Sequence, residues 1–331
     1  MTITTGILRV DEHGAAARIL ARSFDRSESA YRAQLRRSRG EAVLALRDGG
    51  DVIALCTRRD RDIGVAGRLV RAACLSAVCV TPERRGAGLG GRLFDDASSA
   101  ASRDGLALAW LCADRPGLYE RHGAVVCGHL WECAFDPRAA SDGSGSLSGV
   151  LEAREDSTRV ERFVRRAARA WSGRLVFDAR ERREAARPPR VASLVTAGDE
   201  VRARAVTSLR TVGTSTELVI HDLAALDAAS ARAVLAFVAA RAPSATRARA
   251  RLLPDPPLVS ALSELAGRFT ARRAWLVRVL EPGGRPWTIR ERPLAPHDAS
   301  SGTVDGATWT DATAGAVALF ASARPSLPHS S

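Results

Sequence analysis

The segment Leu75-Ser-Ala-Val-Cys-Val-Thr-Pro-Glu-Arg-Arg-Gly-Ala-Gly-Leu-Gly-Gly91 passes from an apolar run through a proline and two arginines into glycines at 86, 88, 90 and 91. The apolar part belongs to a nearly unbroken run over 72–80, whose length and lack of alternation suit a strand buried on both faces. Leu89–Arg103 then reads as an amphipathic helix. Glycines at such a junction let the backbone approach a ligand and aim several N–H groups at one spot, where the helix dipole also favours negative charge. The pattern suits a pyrophosphate. A glycine turn that binds nothing is the alternative.

Two familiar phosphate-binding patterns do not fit. A dinucleotide fingerprint wants its first glycine directly after the strand and an acid at the end of the next strand, whereas residues 82–85 intervene and the next strand ends in Leu111-Cys112. A P-loop needs a Lys. All 49 Lys+Arg residues are Arg, which also excludes Schiff-base chemistry on a lysine. The formal charge of +12 points to an anionic partner. With the arginines spread along the chain and only two Tyr and eight Phe for base stacking, a dedicated nucleic-acid binder is disfavoured. No window approaches the roughly 18 apolar residues of a spanning helix, and the first residues lack a basic stretch typical of a secretory leader. The six cysteines form no CxxC pair, and no His stands at zinc-finger spacing, so buried free thiols, no metal and a reducing cytoplasm are expected.

Outward from the glycines, the residues predict two α/β units. In the first, a strand over 6–10, helices over 11–24 and 28–39, and a hairpin of 41–47 with 52–58 precede the central strand. A strand over 106–112, a short helix around Tyr119 and a closing strand over 125–135 follow. Residues 141–146 read as a flexible linker. The second unit repeats the order: helix 158–171, strands 191–197, 201–211 and 217–221, helix 228–241, strand 247–252, helix 258–265 and strand 275–280. Beyond 282 only 312–322 looks helical.

Arg85-Gly86-Ala87-Gly88-Leu89-Gly90, after the strand Val78-Cys79-Val80, resembles motif A of the GNAT acyltransferase superfamily, whose members bind the pyrophosphate of acetyl-CoA there. The resemblance implies that the backbone of Val78, Cys79 and Val80 receives the pantetheine arm. It also implies that residues 85–91, Gly91 included, hold the pyrophosphate, with Arg84 and Arg85 adding charge. Leu111-Cys-Ala-Asp-Arg-Pro-Gly-Leu-Tyr-Glu-Arg-His-Gly-Ala124 resembles the region after the family's second CoA-contacting strand. It adds Ala113 and Asp114 to the cofactor contacts and makes Tyr119 the general acid toward the leaving thiolate. His122 and His129 invite assignment as the base, a satisfied structural histidine being the alternative, and Asp25, Glu28, Asp114 and Glu120 could line an acidic pocket for a polycationic amine.

The second unit narrows the resemblance. Residues 217–238, Leu252-Leu-Pro-Asp-Pro-Pro-Leu258 and Ala274-Trp-Leu-Val-Arg-Val279 are similar to the central domain of Eis-type acetyltransferases. Those proteins have tandem GNAT folds, the second without the glycine loop, and then a sterol-carrier-protein-like domain. The implied plan is a catalytic GNAT domain over 1–138, a linker over 139–150, a degenerate GNAT-like domain over 151–281 and a shortened C-terminal region over 282–331. In that family the terminal carboxylate enters the active cleft, and Ser331 is the matching position. The implied function is acetyl transfer from acetyl-CoA to a primary amine (an aminoglycoside-like polyamine, a small amine or a protein lysine) by a homo-oligomer, hexameric by resemblance. A CoA-sensing or protein-binding module of the same fold is the non-enzymatic alternative.

Overall fold

The computed structural model describes residues 3–24, 26–37, 42–141, 150–152, 157–253 and 255–280. The expected linker core, the C-terminal region and Ser331 lie outside them, as does Asp25. In chain order the elements are β1 Ile3–Ile7, α1 His13–Ser23, α2 Glu28–Arg37, β2 Ala42–Asp48, β3 Asp51–Val65, β4 Arg68–Val80, α3 Leu89–Arg103, β5 Leu108–Ala113, α4 Gly117–Glu120 and β6 Val125–Phe135. There follow α5 Pro137–Ser141, β7 Val150–Glu152, α6 Thr158–Ala170, β8 Leu175–Val176, α7 Ala179–Ala185, β9 Val191–Ala197, β10 Glu200–Val212, β11 Ser215–Ala225, α8 Ala228–Ala240, β12 Ala245–Leu252, α9 Pro256–Glu264 and β13 Arg268–Val279. The architecture is mixed α/β, sheets flanked by helices, as expected.

The described residues divide into two compact units, one of residues up to Arg61, Val70–Cys127 and 274–280, the other of Asp62–Leu69 and Gly128–Arg273. In the first, the strand order is β1, β2, β3, β4, β5 and the second half of β13. Period-2 alternation decides which helix each side chain meets. Val43, Ala45, Leu55 and Cys79 pack under α1 and α2 with Leu20, Tyr31 and Leu35. Leu44, Leu46, Cys56, Leu75 and Leu111 face Leu93, Phe94, Ala97 and Ala101 of α3.

Strand pairing departs from the sequence reading where the first unit closes, and the short strands β7 and β8, paired with β9 and β3, were not expected. Residues 125–135 were expected to close the first unit, but 131–135 pair with β12 in the second unit. The first unit is closed instead by Ala274–Val279, antiparallel to β5. Both segments are apolar strands of similar composition, so nothing local distinguishes their partners. The central hairpin is also longer than expected. β3 runs on to Val65 through the charged 58–62 stretch and turns at Ala66-Gly67, both at positive φ.

In the second unit α8 and α9 cover one sheet face through Leu235, Val238, Leu258 and Leu262, and α6 packs on the other through Val160 and Phe163. Gly64 has no room for a side chain: an added Cβ would lie 1.6 Å from the Ala168 carbonyl oxygen.

The start of the first unit is fixed by charge. Glu12, 7% exposed, accepts from Arg47 Nε at 2.6 Å and from Arg47 Nη2 at 2.7 Å, and from the Arg9 amide at 2.7 Å. Arg47 also donates to the Ile7 carbonyl at 2.9 Å, which ties β1, the entry to α1 and β2 together. The Arg47 hydrogen bonds outweigh burial and hold the Glu12 carboxyl down at about 2, from an ordinary 4.5. A lowered acid stabilises the fold above its unfolded pKa, and that contribution is lost as pH falls through the folded value. Urea unfolding of the wild type should therefore lose about 3 kcal/mol more between roughly pH 5 and pH 2 than Glu12→Gln does. Parallel losses in the two proteins would remove Glu12 from this role.

Candidate functional site

β4 and β5 are parallel and paired only at Ala72↔Leu108, Ala73↔Ala109 and Cys74↔Trp110. Past these pairs β4 continues to Val80, and its backbone is kinked at Ala77, a left-handed residue with φ of 52° inside a strand. A non-glycine residue in that conformation costs on the order of 1 kcal/mol or more and marks a departure from regular pairing. Val78 and Val80 turn to the α3 side of the sheet, and Cys79 turns to the α1/α2 side. The parting of β4 from β5 leaves backbone groups of the β4 end without that partner strand.

α3 begins where β4 ends. Gly86 and Gly88 lie at φ of 84° and 73°, with nothing within 4 Å of an added Cβ at either. Gly88 is the N-cap residue; it has no side chain to cap the helix, and the Arg92 amide makes the first helical bond, to the Gly88 carbonyl. The amides of Leu89, Gly90 and Gly91 therefore have no partner inside the helix. The four glycines differ in their reasons. Gly86 and Gly88 supply left-handed backbone beside open space, whereas Gly91 is buried under the His122 imidazole, whose Nε2 would lie 2.0 Å from a Cβ. Gly90 meets only Val80, at 3.9 Å.

The two arginines of the turn are differently engaged. Arg84 forms an ion pair with Asp48, which is buried at the tip of the β2–β3 hairpin. Arg85 is exposed and donates through Nε to the Val80 carbonyl at 3.3 Å, closing the strand end. Ala113 is buried at the end of β5 and Asp114 is exposed beside it; Glu120 is exposed on α4, and Glu28 pairs with Arg32 at 2.8 Å.

Tyr119 projects from α4 onto the α3 core. Its ring meets Phe94 edge to face, centroids 5.3 Å apart, and it is half-buried. Burial, with smaller contributions from the Cys56 and Cys79 thiols, pushes its phenol up to about 12. Both thiols are themselves raised to about 12, chiefly by burial, so neither is a thiolate at neutral pH. Sequence reasoning missed Asp95 and Arg278. Asp95 accepts from His122 Nδ1 and from Arg278 Nη1, both at 2.6 Å.

Among the described residues of the second unit the corresponding places are closed. Its helix α8 is capped by Asp227, whose carboxylate accepts from the Ser230 amide at 2.7 Å and from Arg202 at 2.6 Å. Parallel pairing of β11 with β12 runs from Thr216↔Ala245 to Ile220↔Ala250. Beyond it Arg174 donates to the Leu223 carbonyl at 2.8 Å and pairs with the buried Asp255 at 2.5 Å, bridging the two strand ends.

Over residues 7–127 the chain matches the family model described as an acetyltransferase (GNAT) domain. That stretch is similar to a GNAT acetyltransferase domain. No curated protein matches it in sequence. In structure it is similar to a GCN5-related N-acetyltransferase from Kribbella flavida, with TM-score 0.70 and 21% identity over 85% of this chain and 71% of that one. A GCN5-related N-acetyltransferase from Anabaena variabilis gives TM-score 0.72 and 14% identity over 84% and 73%. Eis1 from Mycobacterium abscessus gives 0.63 and 17% over 84% and 73%. At these identities the structural likeness concerns the fold. Among the described residues no helix is long and apolar enough to cross a membrane, and all six cysteines are free.

The chain has two tyrosines, so the phenol can be read directly. In an alkaline absorbance titration, the difference between wild type and Tyr119→Phe should be a single step near 12. A step near 10, the ordinary tyrosine value, would mean that the ring is not packed as described.

Proposed function

We propose that the chain is an acetyl-CoA-dependent N-acetyltransferase that passes the acetyl group directly to a primary amine. The observation that carries this reading is the uncapped start of α3, with left-handed glycines beside open space at 86 and 88. Free N–H groups at a helix start, on the positive end of its dipole, match a diphosphate. The parted end of β4 suits an extended amide-bearing arm laid beside it as a further strand. The raised thiols of Cys56 and Cys79 speak against an acyl-enzyme, and so for direct attack.

In this mechanism the amine nitrogen forms a bond to the thioester carbonyl carbon, the carbon–sulfur bond breaks, and the amine gives up a proton to a base. A β4 amide near Val80 polarises the carbonyl, a contribution of about 3–4 kcal/mol in comparable acyl chemistry. Tyr119 faces the leaving sulfur. At about 12 its phenol is a weaker acid than an ordinary thiol near 8.5, a gap of roughly 3.5 units or about 5 kcal/mol. Its contribution is therefore a hydrogen bond to the developing thiolate rather than early delivery of its proton. The finer assignment, to the Eis type, is supported by the order of elements in the second unit and by the replacement of a glycine turn there with the Asp227 cap. Free, mostly buried thiols fit a reducing cytoplasm.

A panel of primary amines followed by release of free thiol tests the proposal on the full chain. The expected outcome is turnover with at least one class of amine, and in Tyr119→Phe a kcat about 100-fold lower with acetyl-CoA KM within about threefold. Acetyl-CoA binding without thiol release across the whole panel would favour a CoA-sensing module instead. Unchanged kcat in Tyr119→Phe would remove that residue from the reaction.

A further inference from the structure

We propose that Gly91, Asp95 and Arg278 form a seat for the His122 imidazole, and that this seat positions Tyr119 for acyl transfer. The inference rests on the acyl-transfer reading above and assigns it positioning residues from two distant parts of the sequence, α3 and β13. Four-residue α4 cannot hold itself as an isolated helix. What fixes it is the turn that follows: the His122 and Ala124 amides both donate to the Tyr119 carbonyl, at 2.9 and 3.1 Å, so the placement of His122 sets that of Tyr119.

His122 is gripped on two sides. Both oxygens of Asp95 are used, one accepting from His122 Nδ1 and the other from Arg278 Nη1, each at 2.6 Å. A carboxylate only accepts, so the histidine proton sits on Nδ1 and the ring orientation is set. The other edge of the ring lies on α3 where Gly91 has no side chain; a Cβ there would be 2.0 Å from Nε2 and 2.5 Å from Cε1. Gly91 and Asp95 stand four residues apart and share a helix face. Phe94, beside Asp95, carries the Tyr119 ring on its edge, and the Arg278 guanidinium carbon lies 5.7 Å from the Phe94 centroid. Gly91 is thus a glycine because of His122, and the seat depends on a side chain of β13, the strand that closes the first unit.

A double-mutant cycle in thermal unfolding tests the seat without any substrate. Gly91→Ala should lower Tm by about 3 °C or more in the wild type, because the imidazole must leave. In a His122→Ala background the same change should leave Tm level or raise it, since alanine is the better helix former. Equal losses in both backgrounds would overturn the seat.

Kinetics on the full chain test its role. Asp95→Asn, nearly isosteric, should lower kcat about 10- to 100-fold with acetyl-CoA KM within about threefold. Adding Tyr119→Phe to Asp95→Asn should lower kcat little further, because both act through one phenol. Arg278→Lys should recover part of the kcat lost in Arg278→Met. Unchanged kcat in Asp95→Asn, or a loss carried by KM, would overturn the positioning role. A wild type that turns over no amine would instead count against the acyl-transfer reading, while the unfolding cycle still decides the seat.

Discussion

An α-helix starts with amides that nothing inside it can satisfy, and the two units of this chain meet that constraint in opposite ways. In the second unit Asp227 answers it with its own carboxylate, itself held by Arg202, and the helix start is closed. In the first, Gly88 brings the chain into α3 in a left-handed conformation without a side chain, and the amides remain available. An acidic cap repels a phosphate, and an uncapped start attracts one. The same contrast recurs at the neighbouring strand ends, where Arg174 bridges β11 and β12 while β4 and β5 part after three pairs.

The rest of the first unit serves that opening. Arg84, drawn to Asp48, fixes the turn to the β2–β3 hairpin, and Arg85 caps the Val80 carbonyl. The α3 stripe of Leu93, Phe94, Ala97 and Ala101 seats the helix on the sheet, so its start keeps one direction. Phe94 then carries Tyr119, in surroundings dry enough to keep its proton. Under the proposed function, the cofactor cradle and the phenol that hydrogen-bonds the leaving thiolate are held by one helix.

Much of this was legible in the sequence because it is local. The unbroken apolar run, the glycines and the helix after them give the end of β4, the turn and α3 nearly to the residue, and α6, β9, β10, α8, β12 and α9 follow from the same periodicities, whereas β7, β8, α7 and the first half of β13 were not read. What stayed hidden is non-local or chemically silent. The exchange of partners between β6 and β13 pairs strands that look alike in composition, and so Arg278 gave no sign that it reaches Asp95. The kink at Ala77 falls on a residue that rarely adopts it, where a glycine would have flagged it. Gly91 was legible as a necessary glycine but for another reason, since its neighbour is a side chain 31 residues on, at His122.

The most direct measurement is calorimetric titration of acetyl-CoA into the wild type, Gly88→Asn and Gly88→Asp. Both replacements tolerate left-handed backbone better than most residues, and only the aspartate adds a charge, copying the cap that Asp227 places on α8. The account predicts saturable binding to the wild type and a loss of about 100-fold or more in Gly88→Asp, well beyond that in Gly88→Asn. Equal affinity in the aspartate and asparagine variants, or no binding to the wild type, would contradict it.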